Sequence, residues 1–126
     1  MGVKGVGSSP EEAFEQAALA LTALTVDPER VKPAEQVHIA CEAPDEELLL
    51  VDWLNALVFE MSSRKMVFGR FEVHIAGQRL TARAWGERVD PPRHAPGVEV
   101  KGATYTELRV RQSPEGTWTA ECVVDV

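Results

Sequence analysis

The sequence predicts an α+β domain in which two helices pack on antiparallel β-sheet as two layers. Three observations carry this expectation. Apolar residues recur at helical spacing in two stretches, about 10–24 and 45–62. Several other stretches alternate apolar and polar residues, as half-buried strands do. Those strands come mainly in hairpin-like succession, which favours antiparallel pairing over a parallel sheet with a helix after every strand. With 126 residues, the chain reads as one domain, 1–126, with a core of its own.

Residues 1–8 are glycine-rich, and Met1-Gly2-Val3-Lys4-Gly5-Val6 reads as the back half of a strand. The first strand is therefore expected to be truncated at the N-terminus, because half a strand leaves hydrogen-bonding groups of its partner unmet. Ser9-Pro10-Glu11-Glu12 is a helix start: Ser9 caps, Pro10 suits the first helical position and Glu12 occupies the capping-box position. Phe14, Ala17, Ala18, Leu21 and Leu24 then share a face, and the alanines permit close approach to a sheet. The helix ends before Pro28. A polar connector follows, Asp27-Pro28-Glu29-Arg30 and Lys32-Pro33.

Residues 35–42 alternate, with Val37, Ile39 and Cys41 inward and His38 on the wet side. The second helix, 45–62, is apolar over much of its girth and is expected to be the most buried element. Asp52 and Asn55 fall on its narrow polar stripe, or line a polar cleft. Arg70–Ile75 and Arg79–Trp85 form a hairpin around Ala76-Gly77-Gln78, with His74 on the polar side and Gly86 breaking the pattern. Residues 87–97 read as a proline-rich loop, and loops of that length tend to carry function. His94 lies on it and is either a capped structural histidine or an acid, base or ligand. Val98, Val100 and Thr104–Arg111 are strand material, interrupted at Lys101-Gly102 by a bulge or a close backbone approach. After the turn Ser113-Pro114-Glu115-Gly116, the stretch Thr117–Val126 is the last strand.

The chain carries a net charge of −7, which argues against a dedicated nucleic-acid binder. The charge is uneven. Residues 64–111 hold ten bases and five acids, so this middle section is either a solvated sheet face or a docking surface for RNA or an acidic partner. No apolar run approaches the ~20 residues of a membrane span, and no signal peptide is visible, so a cytoplasmic location without a membrane partner is expected. Cys41 and Cys122 lie in strands far apart and lack zinc-site spacing, so both are expected as reduced thiols. There is no phosphate-binding glycine loop and no nucleophile elbow.

The chain end is the most informative stretch. Val123-Val124-Asp125-Val126 places a carboxylate side chain beside the terminal carboxyl. Two oxyanions in one small volume favour a shared hard cation such as Mg²⁺, Ca²⁺ or Mn²⁺. The plain alternative is a surface strand ending in a solvated Asp. A metal-dependent hydrolase needs at least three convergent ligands with an open position, and only two are in view. Lys101 and His94 complete the set of chemically interesting groups.

In this order along the chain, Ser9–Ala18, Val51-Asp-Trp-Leu-Asn-Ala-Leu57, Ala84-Trp-Gly-Glu87, His94, Val98-Glu-Val-Lys-Gly-Ala-Thr-Tyr105 and Val123-Val-Asp-Val126 resemble the archease family. The resemblance implies an accessory protein, not a stand-alone catalyst. Its partner would be the RtcB-type ligase, which joins RNA ends in tRNA splicing or RNA repair using GTP and a divalent metal. The family member promotes guanylylation of the ligase and sustains its multiple turnover, and meets RNA only through the ligase. The resemblance further implies a metal site whose last two ligands map to Asp125 and Val126, and ligase-activating roles for Lys101 and Asp125. The family's N-terminal carboxylate falls ahead of Met1, so weak binding of a divalent metal (Ca²⁺, Mg²⁺ or Mn²⁺) is expected. Ser8 also stands where some relatives have an acid. The alternative is a structural or chaperone-like interaction module without a metal role.

Overall fold

The computed structural model describes residues 1–126, folded as two antiparallel sheets and two long helices. Strand β1 (Gly2–Gly7) alternates buried and exposed residues. Helix α1 (Pro10–Thr25) follows at once, with the Ser9 hydroxyl accepting from Glu12 N–H. Glu12 returns the bond to Ser8 N–H, one residue short of the capping-box partner. A 3₁₀ turn, Pro28–Arg30, leads to β2 (Glu35–Glu42). Helix α2 (Glu46–Arg64) is capped by Asp45 and ends on Lys65, which takes the left-handed conformation at φ 56°. The hairpin of β3 (Met66–Ala76) and β4 (Arg79–Arg88) comes next. It is followed by a single helical turn α3 (Pro91–His94) and the strands β5 (Gly102–Ala103), β6 (Arg109–Gln112) and β7 (Trp118–Asp125).

One sheet is built around β7. Strand β1 runs along one edge, from Gly2 opposite Val123 to Gly7 opposite Trp118. The other edge is shared: β6 pairs with Trp118–Glu121, and β5 pairs with Val124 and Asp125. The second sheet has the order β2-β4-β3. Helix α1 packs on β1, β7 and β3 and so joins the two sheets, while α2 lies against β2, β3 and β4 and reaches β5. At Gly5, an added Cβ would stand 2.1 Å from Ala13 O, so a glycine there lets α1 settle directly on β1.

The core gathers Phe14 and Leu21 from α1, Leu50, Trp53, Leu54 and Leu57 from α2, and Phe68, Leu80 and Val124 from the strands. Burying each large apolar side chain contributes about 1.5–3 kcal/mol. Trp53 also donates its indole N–H to Phe14 O at 3.1 Å, which ties the helices together without an orphaned polar atom.

The α+β class expected from the sequence is the class observed, with the strands divided between two sheets. Several local expectations change. Helix α2 is no more enclosed than α1, because Asp52, Asn55 and Phe59 face water. Gly86 does not break the hairpin; β4 continues through it to Arg88, and a Cβ there would meet Val67 O at 1.9 Å. The expected loop from residue 87 is therefore shorter and contains α3. The strand expected over Thr104–Arg111 narrows to Arg109–Gln112, since Glu107 turns the chain at φ 52°. Val98 and Val100 lie in no strand, and Gly97 N–H and Val98 O are instead held by Thr25.

Candidate functional site

The last strand ends between two others. Its N-terminal neighbour reaches Val124: Val124 N–H donates to Met1 O at 2.7 Å, and Met1 N lies 3.2 Å from Val124 O. On the opposite edge, Lys101 N–H donates to Asp125 O at 2.8 Å, and Gly102 stands opposite Asp125 in the ladder. Sequence reading singled out Lys101, Asp125 and Val126, and the fold brings all three to one corner. All three are exposed. No ion pair joins Lys101 to Asp125, so both charged ends face solvent, free to meet a partner.

Asn55 positions this corner. Its Oδ1 accepts from Ala103 N–H at 2.8 Å, so α2 holds β5 through one side chain. Gly102 is the residue that makes room, because a Cβ there would stand 3.1 Å from that oxygen. The interruption at Lys101-Gly102 is thus a close approach. Asn55 faces water as expected of a polar stripe, yet its carbonyl oxygen is committed to the strand next to Asp125. Thr104 continues the anchoring: its backbone N–H and its hydroxyl both donate to Val123 O, at 3.0 and 2.8 Å.

A divalent cation needs several oxygen ligands. Asp125 and the Val126 carboxyl are right in kind, but no group of three or more His, Cys, Asp or Glu side chains lies close enough to hold a metal ion. Asp125 is therefore part of no three-ligand group of side chains.

A second polar cluster holds the segment that leads to Lys101. Glu87, near the end of β4, accepts two bonds from Arg93, at 2.9 and 2.6 Å, and one from Lys32 N–H at 2.7 Å. His94 Nε2 lies 3.0 Å from the same carboxylate, while Nδ1 accepts from Asp90 N–H at 2.8 Å. An accepting Nδ1 puts the ring proton on Nε2, which donates to Glu87. These contacts, Arg93 first, hold the Glu87 carboxyl far below its usual range, at about 2. His94 is 4 % exposed and fully partnered, so it is a structural histidine.

The remaining candidates are dispersed. His38 and His74 lie on the outer face of the second sheet. Cys41 and Cys122 are unpaired thiols, both pushed up to about 11, chiefly by burial. Burial thus disfavours the thiolate form of both. No helix is long and apolar enough to cross a membrane.

Comparison with known proteins bears on this corner. The model of the archease protein family (MTH1598/TM1083) matches residues 1–126. The chain belongs to the archease family. Curated archeases are similar along its whole length: that of Pyrococcus abyssi is 38 % identical and that of Thermococcus gammatolerans 40 %, each over all of this chain and 92 % of the relative. The solution structure of Methanobacterium thermoautotrophicum protein 1598 superposes with a TM-score of 0.86 at 29 % identity, covering 99 % of this chain and 91 % of that one. In this archease-family chain, sequence reading passed over the bonding of Glu87, although Glu87 ends one of the segments that carry the resemblance. Its spacing of six and seven residues to Arg93 and His94 has no helical or strand period, so only the fold reveals the cluster.

Proposed function

We propose that this chain is an accessory protein that activates an RtcB-type RNA ligase of tRNA splicing or RNA repair. It promotes guanylylation and multiple turnover and does not catalyse ligation itself. The observation that carries this reading is the convergence of Lys101 and Asp125, joined by a backbone hydrogen bond, in a chain that matches the archease family from end to end. Lys101 supplies a mobile positive charge suited to a nucleotide phosphate. Asp125 and the Val126 carboxyl supply two hard oxygen donors that carry a divalent metal weakly, whether Ca²⁺, Mg²⁺ or Mn²⁺. The acidic tail repels phosphodiesters, so at the tail itself RNA is met through the ligase. A cytoplasmic site of action suits two reduced thiols.

The test is multiple-turnover RNA ligation by the ligase of the same source, with GTP and metal, with and without the chain. Added chain is expected to raise turnover. Lys101→Ala and Asp125→Asn are each expected to lower that stimulation at least tenfold while the fold stays intact. That Asp125 is part of no three-ligand group of side chains favours a second reading, a protein-interaction module without a metal role. In that case removal of Asp125 and Val126 leaves stimulation or binding unchanged.

A further inference from the structure

The second sheet shows one face to the helices and leaves the other open. Three cross-strand rows make up the open face: Gln36, Trp85 and Arg70; His38, Arg83 and Glu72; and Ala40, Thr81 and His74. Trp85 stands on the middle strand β4, between Gln36 and Arg70. The Arg70 guanidinium lies 4.6 Å from the Trp85 ring centroid and that of Arg83 lies 5.4 Å away. Arg83 is paired with Glu72, and Arg79 reaches Glu42 only at 4.0 Å. Arg70 makes no ion pair. With the neighbouring row of Glu42 and Arg79 included, the face holds three arginines and two histidines against two glutamates, on a chain whose net charge is −7.

A solvated antiparallel face needs no such composition. Polar uncharged residues or mixed charges suffice. An indole with two guanidinium groups set against it matches the two recurring features of a single strand of RNA. Bases stack on aromatic and guanidinium planes, and phosphates pair with arginine. A paired duplex hides its base faces, so the ligand is single-stranded. Gln36 stands opposite the ring, and His38, Thr81 and His74 follow along the same face with groups that hydrogen-bond hydroxyls, which favours ribose over deoxyribose.

We infer that the open face of β2-β4-β3 binds single-stranded RNA directly, with Trp85 as the stacking platform and Arg70 and Arg83 as phosphate contacts. It lies on a different sheet from the acidic tail. The chain thereby gains its own hold on an RNA end, independent of the ligase.

The experiment is fluorescence anisotropy of a labelled oligouridylate of about twelve nucleotides, titrated with the intact chain at low salt. A dissociation constant of about 10⁻⁵ M is expected, weakening as salt rises because counterions are released. Trp85→Leu and the double variant Arg70→Gln/Arg83→Gln are each expected to weaken binding at least about fivefold. The charge-matched double variant Arg109→Gln/Arg111→Gln, on β6 of the other sheet, is expected to leave it unchanged. Circular dichroism confirms that each variant is folded, and the arginine pair serves if Trp85→Leu does not fold. Equal loss in both double variants, equal affinity for the DNA oligomer or for a polyglutamate peptide of the same length, or no binding at all would each overturn the assignment. Because no ligase is present, failure here leaves the activator reading untouched.

Discussion

His94 Nε2 lies 3.0 Å from Glu87 Oε2, and the contact joins the end of β4 to the helical turn that precedes the approach to Lys101. The other ring nitrogen is occupied by Asp90 N–H, so His94 has no free valence. Replacing it by Leu keeps much of the volume and leaves Asp90 N–H and one bond of Glu87 unmet. His94→Leu is expected to cost about 1–3 kcal/mol in urea unfolding. Stimulation of the ligase should fall with it, because residues 95–101 lose their anchor. Full stability with full stimulation would show that the cluster positions nothing.

Glu87 also sets an acid limit. Its folded pKa of about 2 lies below the ordinary value of 4.5, Arg93 being the main cause. A lowered carboxylate contributes stability that is fully present above pH 4.5 and is lost as pH falls toward 2. Glu87→Gln is expected to flatten the stability profile in that window and to lower stability at pH 7, read by chemical unfolding at several pH values. A profile of unchanged slope between pH 4.5 and 2 would contradict the assignment.

Glu15 behaves in the opposite sense. Its carboxylate accepts from Val73 N–H at 2.8 Å, which covers the edge of β3. Burial, followed by Glu12, Glu72 and Glu11, raises its pKa, and the Val73 bond only partly offsets them. A raised acid is a liability that is absent below its unfolded pKa and appears as pH rises through the folded one. Glu15→Gln keeps an acceptor for Val73 and removes the charge. It is expected to raise the midpoint of thermal unfolding at pH 7, with the gain vanishing in acid below the unfolded pKa. Destabilisation at pH 7 would mean that the charge strengthens the Val73 bond more than burial penalises it.

The elements with a period were legible in the sequence. Ser9, Pro10 and Asp45 announce helix starts through local hydrogen-bond chemistry, and alternation placed β2 at Glu35–Glu42 without error. Gly86 misled because a glycine has two meanings. It can end a strand, or it can let another backbone pass close by, and only the partner strand decides between them. Val98–Val100 misled because β-branched residues favour an extended chain, whereas strand assignment needs a partner, and here Thr25 supplies the bonds instead. At the chain end, the residue types Lys101 and Asp125 were visible. Their adjacency was not, since 24 positions separate them and only a backbone bond beside the β5–β7 ladder joins them.

Gly86 gives that distinction a number. An added Cβ would lie 1.9 Å from Val67 O and 2.9 Å from Phe68 Cα, both on the backbone of β3. Backbone cannot step aside as a side-chain tip can. Gly86→Ala is expected to destabilise by about 2–4 kcal/mol, with β3 and β4 forced apart near the register shift at Phe68/Arg70. A change below about 0.5 kcal/mol in urea unfolding would place Gly86 among tolerant positions.

The antiparallel register of β1 against β7 makes the metal question testable. Gly2 stands opposite Val123, and Met1 bonds with Val124. A residue added directly before Met1 would therefore stand opposite Asp125, and cross-strand partners share a face. An Asp added there brings a third carboxyl group to Asp125 and Val126, and hard cations bind more tightly as carboxylates accumulate. The added Asp is expected to raise Mg²⁺, Ca²⁺ or Mn²⁺ affinity at least tenfold in calorimetric titration, and Asp125→Asn in the same chain should abolish the gain. Tight binding by residues 1–126 without the addition would overturn the expectation of weak binding. A gain that survives Asp125→Asn would place the new ligand on some other group than the tail.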